Sequence, residues 1–314
     1  MARREWMYSA LWAAATGLVL FSITKVEHWG LPCLMVLLLC LAGVQRDAAE
    51  TPWVIFMPAG CAMLSLFYLI YSHAGGFWYQ VVAWQTKSIH HWFHWNEFFN
   101  AIPGNDAAWF RIWQPEWLTQ YMKAVYSYGF TLSYWVCVIR AFFTKDISKF
   151  ARYSLAGYLL QVPLILPFYN TVLLQEVWYV QGTPDVMGRG WTPEEQGANS
   201  VNCFPSMHTS IAFAALLLAK RENSTIYRIV MTLFTCSIIA STMYLKIHWV
   251  IDVIAGMLFA YFCVKLADRI VDSRPFQSFA ALWERIGTSL YRTIAVKRSA
   301  DAVEPSNPET GGTA

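Results

Sequence analysis

Charge is scarce in this sequence. Only 14 % of its 314 residues are Asp, Glu, Lys or Arg, where a soluble domain carries about 25 %. Hydrophobic residues make up 56 %. A long disordered chain is excluded, and a conventional soluble globule fits poorly. The 23 Lys and Arg against 20 Asp and Glu leave a formal charge of +3, and no Lys/Arg stripe is concentrated enough to receive a nucleic acid duplex. The seven Cys form no CxxC pair and lie mostly within apolar runs, Cys203 excepted, so neither a zinc site nor a disulfide framework is indicated. A glycine-rich nucleotide loop is missing, as is any internal repeat. Aromatic residues, in contrast, are plentiful, with 16 Trp, 16 Tyr and 20 Phe, as suits helix ends anchored at a membrane interface.

A helix needs about 20 residues to cross the hydrocarbon. The apolar runs predict an all-α fold, a polytopic membrane helical bundle of about eight transmembrane helices, near 7–24, 30–44, 53–72, 121–143, 152–171, 205–221, 226–244 and 248–267. The first is read as a span and not as a cleaved signal peptide, because it lacks a convincing cleavage site. Pro163 and Pro167 predict a kink or early end in the fifth. The membrane domain is expected over 1–272, with its core at 121–267. A C-terminal tail follows over 273–314, with a short surface helix at 279–294 and disorder from about 299.

In this arrangement Arg3, Arg4, Arg46, Arg140, Lys145, Lys149, Arg152, Lys220, Arg221, Arg228, Lys265, Arg269 and Arg274 fall on one side, which the positive-inside rule makes cytoplasmic. Both termini are then cytoplasmic. The expected setting is a bacterial inner membrane with a periplasmic site, for which an internal eukaryotic membrane with a lumenal site is topologically equivalent. Two outer segments are long. The first, 77–117, holds Trp84, Trp92, Trp95, Trp109, Trp113 and Trp117 with His90, His91 and His94, and is expected to include an amphipathic helix in the headgroup layer. His90 and His94 have a spacing that also suits a metal, but no third ligand of clear type is near. The second, 181–201, rich in Gly, Pro, Asn and acidic residues, reads as an ordered or gated loop.

Chemistry concentrates over 202–256. The run Asn202-Cys203-Phe204-Pro205-Ser206-Met207-His208 stands at the outer end of the sixth span, and His248 and Asp252 share one helix face at the outer end of the eighth. Two antiparallel crossings bring the chain from His208 back to His248 on the same side. A carboxylate beside an imidazole within a span is expensive, hence a functional candidate. Asp252 would hold the proton on one ring nitrogen of His248 and leave the other free to attack, while His208 would protonate the leaving oxygen and then deprotonate an acceptor. Helix-start amides and the Ser206 hydroxyl are placed to receive phosphate oxygens. Each residue also has a purely structural reading, as an interfacial His or a polar contact within the bundle.

The segments Pro205-Ser206-Met207-His208 and His248-x-x-x-Asp252-Val253-x-Ala255-Gly256 resemble the type 2 phosphatidic acid phosphatase superfamily, related to vanadium haloperoxidases. The resemblance implies an acid histidine at His208 and a nucleophilic histidine with its aspartate at His248 and Asp252. The phosphatase pattern has an Arg after a Ser six residues before the nucleophile, where this chain has Ser241-Thr242, and its first Lys and Arg-Pro motif has no counterpart. Met207 replaces the usual Gly. The inositol phosphorylceramide synthase and sphingomyelin synthase group is more similar. Such enzymes move a phospho-headgroup from a glycerophospholipid to a lipid hydroxyl, and a phosphodiester with one negative charge needs less cationic clamping.

The expectation is therefore a membrane lipid phosphotransferase working through a phosphohistidine, with phosphoinositol as a candidate headgroup. Its partners are a phospholipid donor and a lipid alcohol acceptor, and it requires no cofactor and no metal. Ser206 is expected to bind phosphate, Lys246, Arg189, Lys123 and Arg111 to neutralise the headgroup, and Tyr169 and Asn170 to reach the same cavity. The alternatives are a lipid or polyprenyl phosphate phosphatase, and a transporter or scaffold on the same helices.

Overall fold

The computed structural model describes residues 41, 43–87 and 92–301. The expected first span, most of the second, His90, His91 and residues 302–314 lie outside these. The helix α1 runs over Trp53–Lys87. With no Asp, Glu, Lys or Arg before Lys87, nothing interrupts it at 72, and it takes up the first part of the segment expected to lie in the headgroup layer. After it come a two-residue strand β1 (Phe93–His94), α2 (Asn96–Ala101), a 3-10 turn over Ala108–Arg111, and α3 (Glu116–Phe143). The 77–117 region is thus a helix end followed by short pieces. Trp92, Trp109, Trp113 and Trp117 remain exposed, and Trp95 stacks on Phe99 at 5.6 Å.

The expected fifth span is broken. It consists of α4 (Ile147–Ser154), a π-helical turn over Leu155–Leu159, and α5 (Gln161–Thr171). Pro163 sits in the first turn of α5, where its missing N–H is not needed. Buried Gln161 repairs the π-turn by donating from Nε2 to the Ala156 carbonyl at 2.7 Å, and its Oε1 accepts from Ser210. Strand β2 (Val172–Leu173) then pairs in parallel with β1, Phe93 opposite Val172. The short helices α6 (Val177–Val180) and α7 (Pro193–Asn199) follow, the second opened by a capping box between Thr192 and Glu195.

The central layer is α8 (Met207–Ala219), α9 (Thr225–Tyr244) and α10 (Val250–Val271), packed with α3. Two glycines allow the close approaches. A Cβ on Gly256 would stand 2.6 Å from the Ser206 carbonyl, and one on Gly129 2.7 Å from Ile238 Cγ1. At the end of α8 away from His208, buried Arg140 joins Asp47 and Glu222, and Glu222 also takes Lys149 Nζ at 2.8 Å and the Tyr153 hydroxyl. Arg221 forks onto Asp268 at 2.7 and 2.9 Å, closing the far ends of α8 and α10 together. The last helix, α11 (Arg274–Asp301), is much longer than the expected 279–294 and lies against α1, with Gly287 close to the Ile55 backbone.

Among the described residues three helices are long and apolar enough to cross a membrane, over Trp53–Val81, Thr225–Tyr244 and Val250–Val271, and Met207–Ala219 is a shorter apolar helix. The chain therefore has the make-up of a membrane protein.

Candidate active site

The two helix starts that carry the histidines are held by backbone. Ser206 caps α8, its Oγ accepting from Thr209 N at 3.3 Å and donating to Thr209 Oγ1 at 2.9 Å. Its own N–H donates to the Asp252 carbonyl at 3.2 Å, locking the first turn of α8 to that of α10. The Tyr169 hydroxyl donates to the Pro205 carbonyl at 3.0 Å. On the other side, Ile247 N and His248 N both donate to the Thr242 carbonyl at 3.0 Å. Asn105 satisfies the opening amides of α10, taking Val250 N on its carbonyl at 2.8 Å and Ile251 N on Oδ1 at 3.0 Å. Fully buried Trp249 donates from Nε1 to the Gln175 carbonyl at 2.9 Å.

This frame fixes the histidines. His248 Nδ1 stands 3.2 Å from Asp252 Oδ2, which also accepts from Trp249 N at 3.2 Å. A carboxylate oxygen only accepts, so Nδ1 is the donor in this bond, and in the neutral imidazole with that tautomer the lone pair lies on Nε2. His208 faces His248 with ring centroids 6.2 Å apart. Its own ring stacks on Tyr126 at 4.2 Å, with 13° between planes, and packs on Phe130 at 4.6 Å. Aromatic faces of this kind fix the orientation of the ring.

Both rings line a cavity of about 820 Å³. Its wall descends from the histidines between α1 and α3 to Tyr134 and Tyr158 beside the π-turn. Of the residues singled out in the sequence, Tyr169, Arg189, His208 and His248 reach this wall. Asp252 stands behind His248. Ser206 is fully buried in its cap, and Asn170 lies beside Tyr169 on α5 without reaching the wall. Lys246 lies outside the wall, bonded to Thr183 Oγ1 at 3.3 Å; burial and nearby Arg111 lower its pKa. Arg111 forks onto Asp106 at 3.0 Å and the Met243 carbonyl at 3.1 Å, and Lys123 is likewise outside the wall. His94 is exposed on β1.

Arg189 is the one Lys or Arg in the wall among the described residues. Gly188 and Gly190 flank it at φ +69°, which lets the loop double back. Its guanidinium meets both Glu176 oxygens and Asp185, and sits 4.0 Å over the Trp191 ring. Burial works against its charge, yet the two carboxylates outweigh it and the pKa is raised. Where the phosphatase pattern carries Arg, Ser241 and Thr242 are buried and their hydroxyls donate within α9, to the Ile238 and Ile239 carbonyls at 2.7 Å each.

Cys203, His248 and Asp252 each place one donor atom within 4.8 Å of the others. As metal ligands they are poorly prepared. Burial, joined by the Asp252 carboxylate, pushes the Cys203 thiol well above its usual range, whereas a metal needs the thiolate.

Several participants escaped sequence reading. Tyr126 and Phe130 show an i, i+4 aromatic pair, but nothing in the sequence says which helix that pair faces. Glu176, which restrains Arg189, lies thirteen residues from it in an irregular loop.

Fold and site together define a helical membrane protein built around a His and His–Asp centre. A sequence model of the PAP2 superfamily matches residues 164–275, the stretch that runs from within α5 to past the end of α10 and holds all three of these residues. This match points to an enzyme acting on phosphate esters, by phosphatase or phosphotransferase chemistry. No curated protein and no solved structure matches the chain.

Proposed function

We propose that the protein is a lipid phosphotransferase of about eight spans, its site on the outer face of the membrane, moving a phospho-headgroup from a glycerophospholipid to a lipid hydroxyl. Phosphoinositol remains the candidate headgroup. His248 Nε2 attacks phosphorus; the P–N bond forms as the bond to the diacylglycerol oxygen breaks, and His208 gives that oxygen its proton. In the second half the acceptor hydroxyl loses its proton to His208 and attacks phosphorus, and the P–N bond breaks. Asp252 keeps the proton on Nδ1 and offsets the positive charge that His248 gains.

The observation that carries transfer over hydrolysis of a monoester is the charge of the cavity. Its sole cation among the described residues, Arg189, is already matched by Glu176 and Asp185, and Ser241-Thr242 replaces the phosphatase Arg. A nearly dianionic monoester would lack its clamp, whereas a monoanionic diester asks for less.

The test is a purified, detergent-solubilised assay with headgroup-labelled phosphatidylinositol and ceramide or diacylglycerol, following labelled lipid and free phosphate together. Acceptor-dependent labelled lipid, abolished by His208→Ala and by His248→Ala, is the expected result. Phosphate release from a lipid monoester, with no labelled lipid formed, would replace transfer by hydrolysis.

A further inference from the structure

The foot of the cavity takes no part in the chemistry at its mouth. Tyr71, Phe130, Thr131, Tyr134, Tyr158 and Val162 wall this lower arm, and none of them carries a charge. All six precede residue 164, where the family match begins, so the arm is built from segments that the match does not cover. It also has a floor. Tyr134 and Tyr158 lie against each other with ring centroids 4.6 Å apart, and fully buried Phe67 seals them from behind at 6.5 and 6.0 Å. The Tyr134 hydroxyl is hydrogen-bonded with Tyr71 and Thr131, and so needs no partner from a ligand. Tyr158 stands on the π-turn over Leu155–Leu159, a distortion of a kind that recurs at functional sites.

Depth decides what fits. Tyr126 stacks on His208, and Tyr134 lies eight residues further along α3, about 12 Å at the helical rise. The hydrocarbon of one leaflet is about 15 Å thick, half of the core. With the histidines at the outer ends of their helices, an uncharged, aromatic-walled arm of this depth runs alongside the tails of the outer leaflet. A charged group would be stranded in it, whereas a methylene chain would not. We propose that the arm takes one hydrocarbon tail of the lipid whose phosphate reacts at the histidines, and that Tyr134 and Tyr158 set the tail length accepted. This rests on the reading of the site as acting on a membrane lipid, and it holds for transfer and hydrolysis alike. Bilayer solvates a tail as well as the arm does, so fit alone selects. A tail that stops short forfeits dispersion contacts at the floor, and one that is too long presses on packed rings.

Photolabelling reads this without turnover. The protein is reconstituted in phosphatidylcholine vesicles with a trace of phosphatidylinositol or of phosphatidic acid that carries a diazirine at the tip of one tail. The tail length is varied, and labelled residues are mapped by mass spectrometry. Label from at least one of the two lipids should fall on Tyr134, Tyr158 or Val162, peak at one length, and drop on the order of tenfold beyond it. Val162→Phe, one turn nearer the histidines, should move the peak to shorter tails, and Tyr158→Ala to longer ones; the first variant suffices where the second does not fold. Label confined to exposed side chains such as Leu233 and Leu258, or a floor signal indifferent to length and to Val162→Phe, overturns the proposal. A length peak in a protein that transfers no headgroup leaves the arm assigned and counts against the transferase reading alone.

Discussion

His208 and His248 face each other with ring centroids 6.2 Å apart, although forty residues and two helices separate them in the chain. His248 is backed by Asp252 and His208 by aromatic faces, so the two rings are prepared for different work, one for attack and the other for proton transfer.

Asp252→Asn retains the shape of the buried side chain and removes its charge. The amide can turn its NH2 toward His248 and stabilise the wrong tautomer. The turnover number is expected to fall on the order of 10³ to 10⁴ with the thermal midpoint little changed. An unaltered rate in steady-state kinetics would remove Asp252 from the mechanism.

Tyr126→Leu takes away the ring stacked 4.2 Å from His208 while keeping an apolar wall. Loss of one stacked aromatic contact corresponds to about 1 kcal/mol, or roughly a fivefold lower kcat, with the donor KM nearly unchanged. If KM rises and kcat holds, Tyr126 contacts substrate and does not position His208.

Gly256→Val tests the helix contact beneath the site. The first added carbon already falls 2.6 Å from the Ser206 carbonyl, so α8 and α10 must separate. Overpacking of this kind costs about 1–3 kcal/mol, read as a lower thermal midpoint, and activity should fall with it because each histidine opens one of these helices. An unchanged midpoint would mean that the helices yield freely here.

Asp185 ties Arg189 into the cavity wall. Burial raises its pKa, but hydrogen bonds from Arg189 outweigh that and hold it below 3.8. A depressed carboxylate stabilises the fold above its unfolded pKa, and that contribution is lost as pH falls through the lower folded value. The loop should therefore resist proteolysis unchanged between about pH 5 and 8 and loosen only in stronger acid. Asp185→Asn should loosen it across the whole range, and equal cleavage of variant and wild type at neutral pH would contradict this.

The parts of this architecture legible in the sequence are those written in local pattern. Apolar runs located α3, α9 and α10 closely; His248 and Asp252 do bond, but His248 lies two residues before α10 and not on its face, so the bond joins the loop to the first turn. Pro163 and Pro167 signalled a broken helix, yet the break is a π-turn at Leu155–Leu159 whose Ala156 carbonyl is satisfied by the Gln161 side chain, a bond with no periodic signature. The cations show the same limit. Facing outward placed Arg189, Lys246, Lys123 and Arg111 together on one side, but only loop geometry decides that Arg189 alone enters the wall. Ser206 was legible as a helix start, and that cap occupies the hydroxyl expected for phosphate.

The most direct measurement is a search for the covalent intermediate. Purified protein is mixed with headgroup-labelled donor in the absence of acceptor, quenched in alkali, and mapped by mass spectrometry. Double displacement predicts an acid-labile, alkali-stable phospho-headgroup adduct on His248, absent from His248→Ala and discharged when acceptor is added. Product formation with no adduct on His248, at any time within a single turnover, would contradict it.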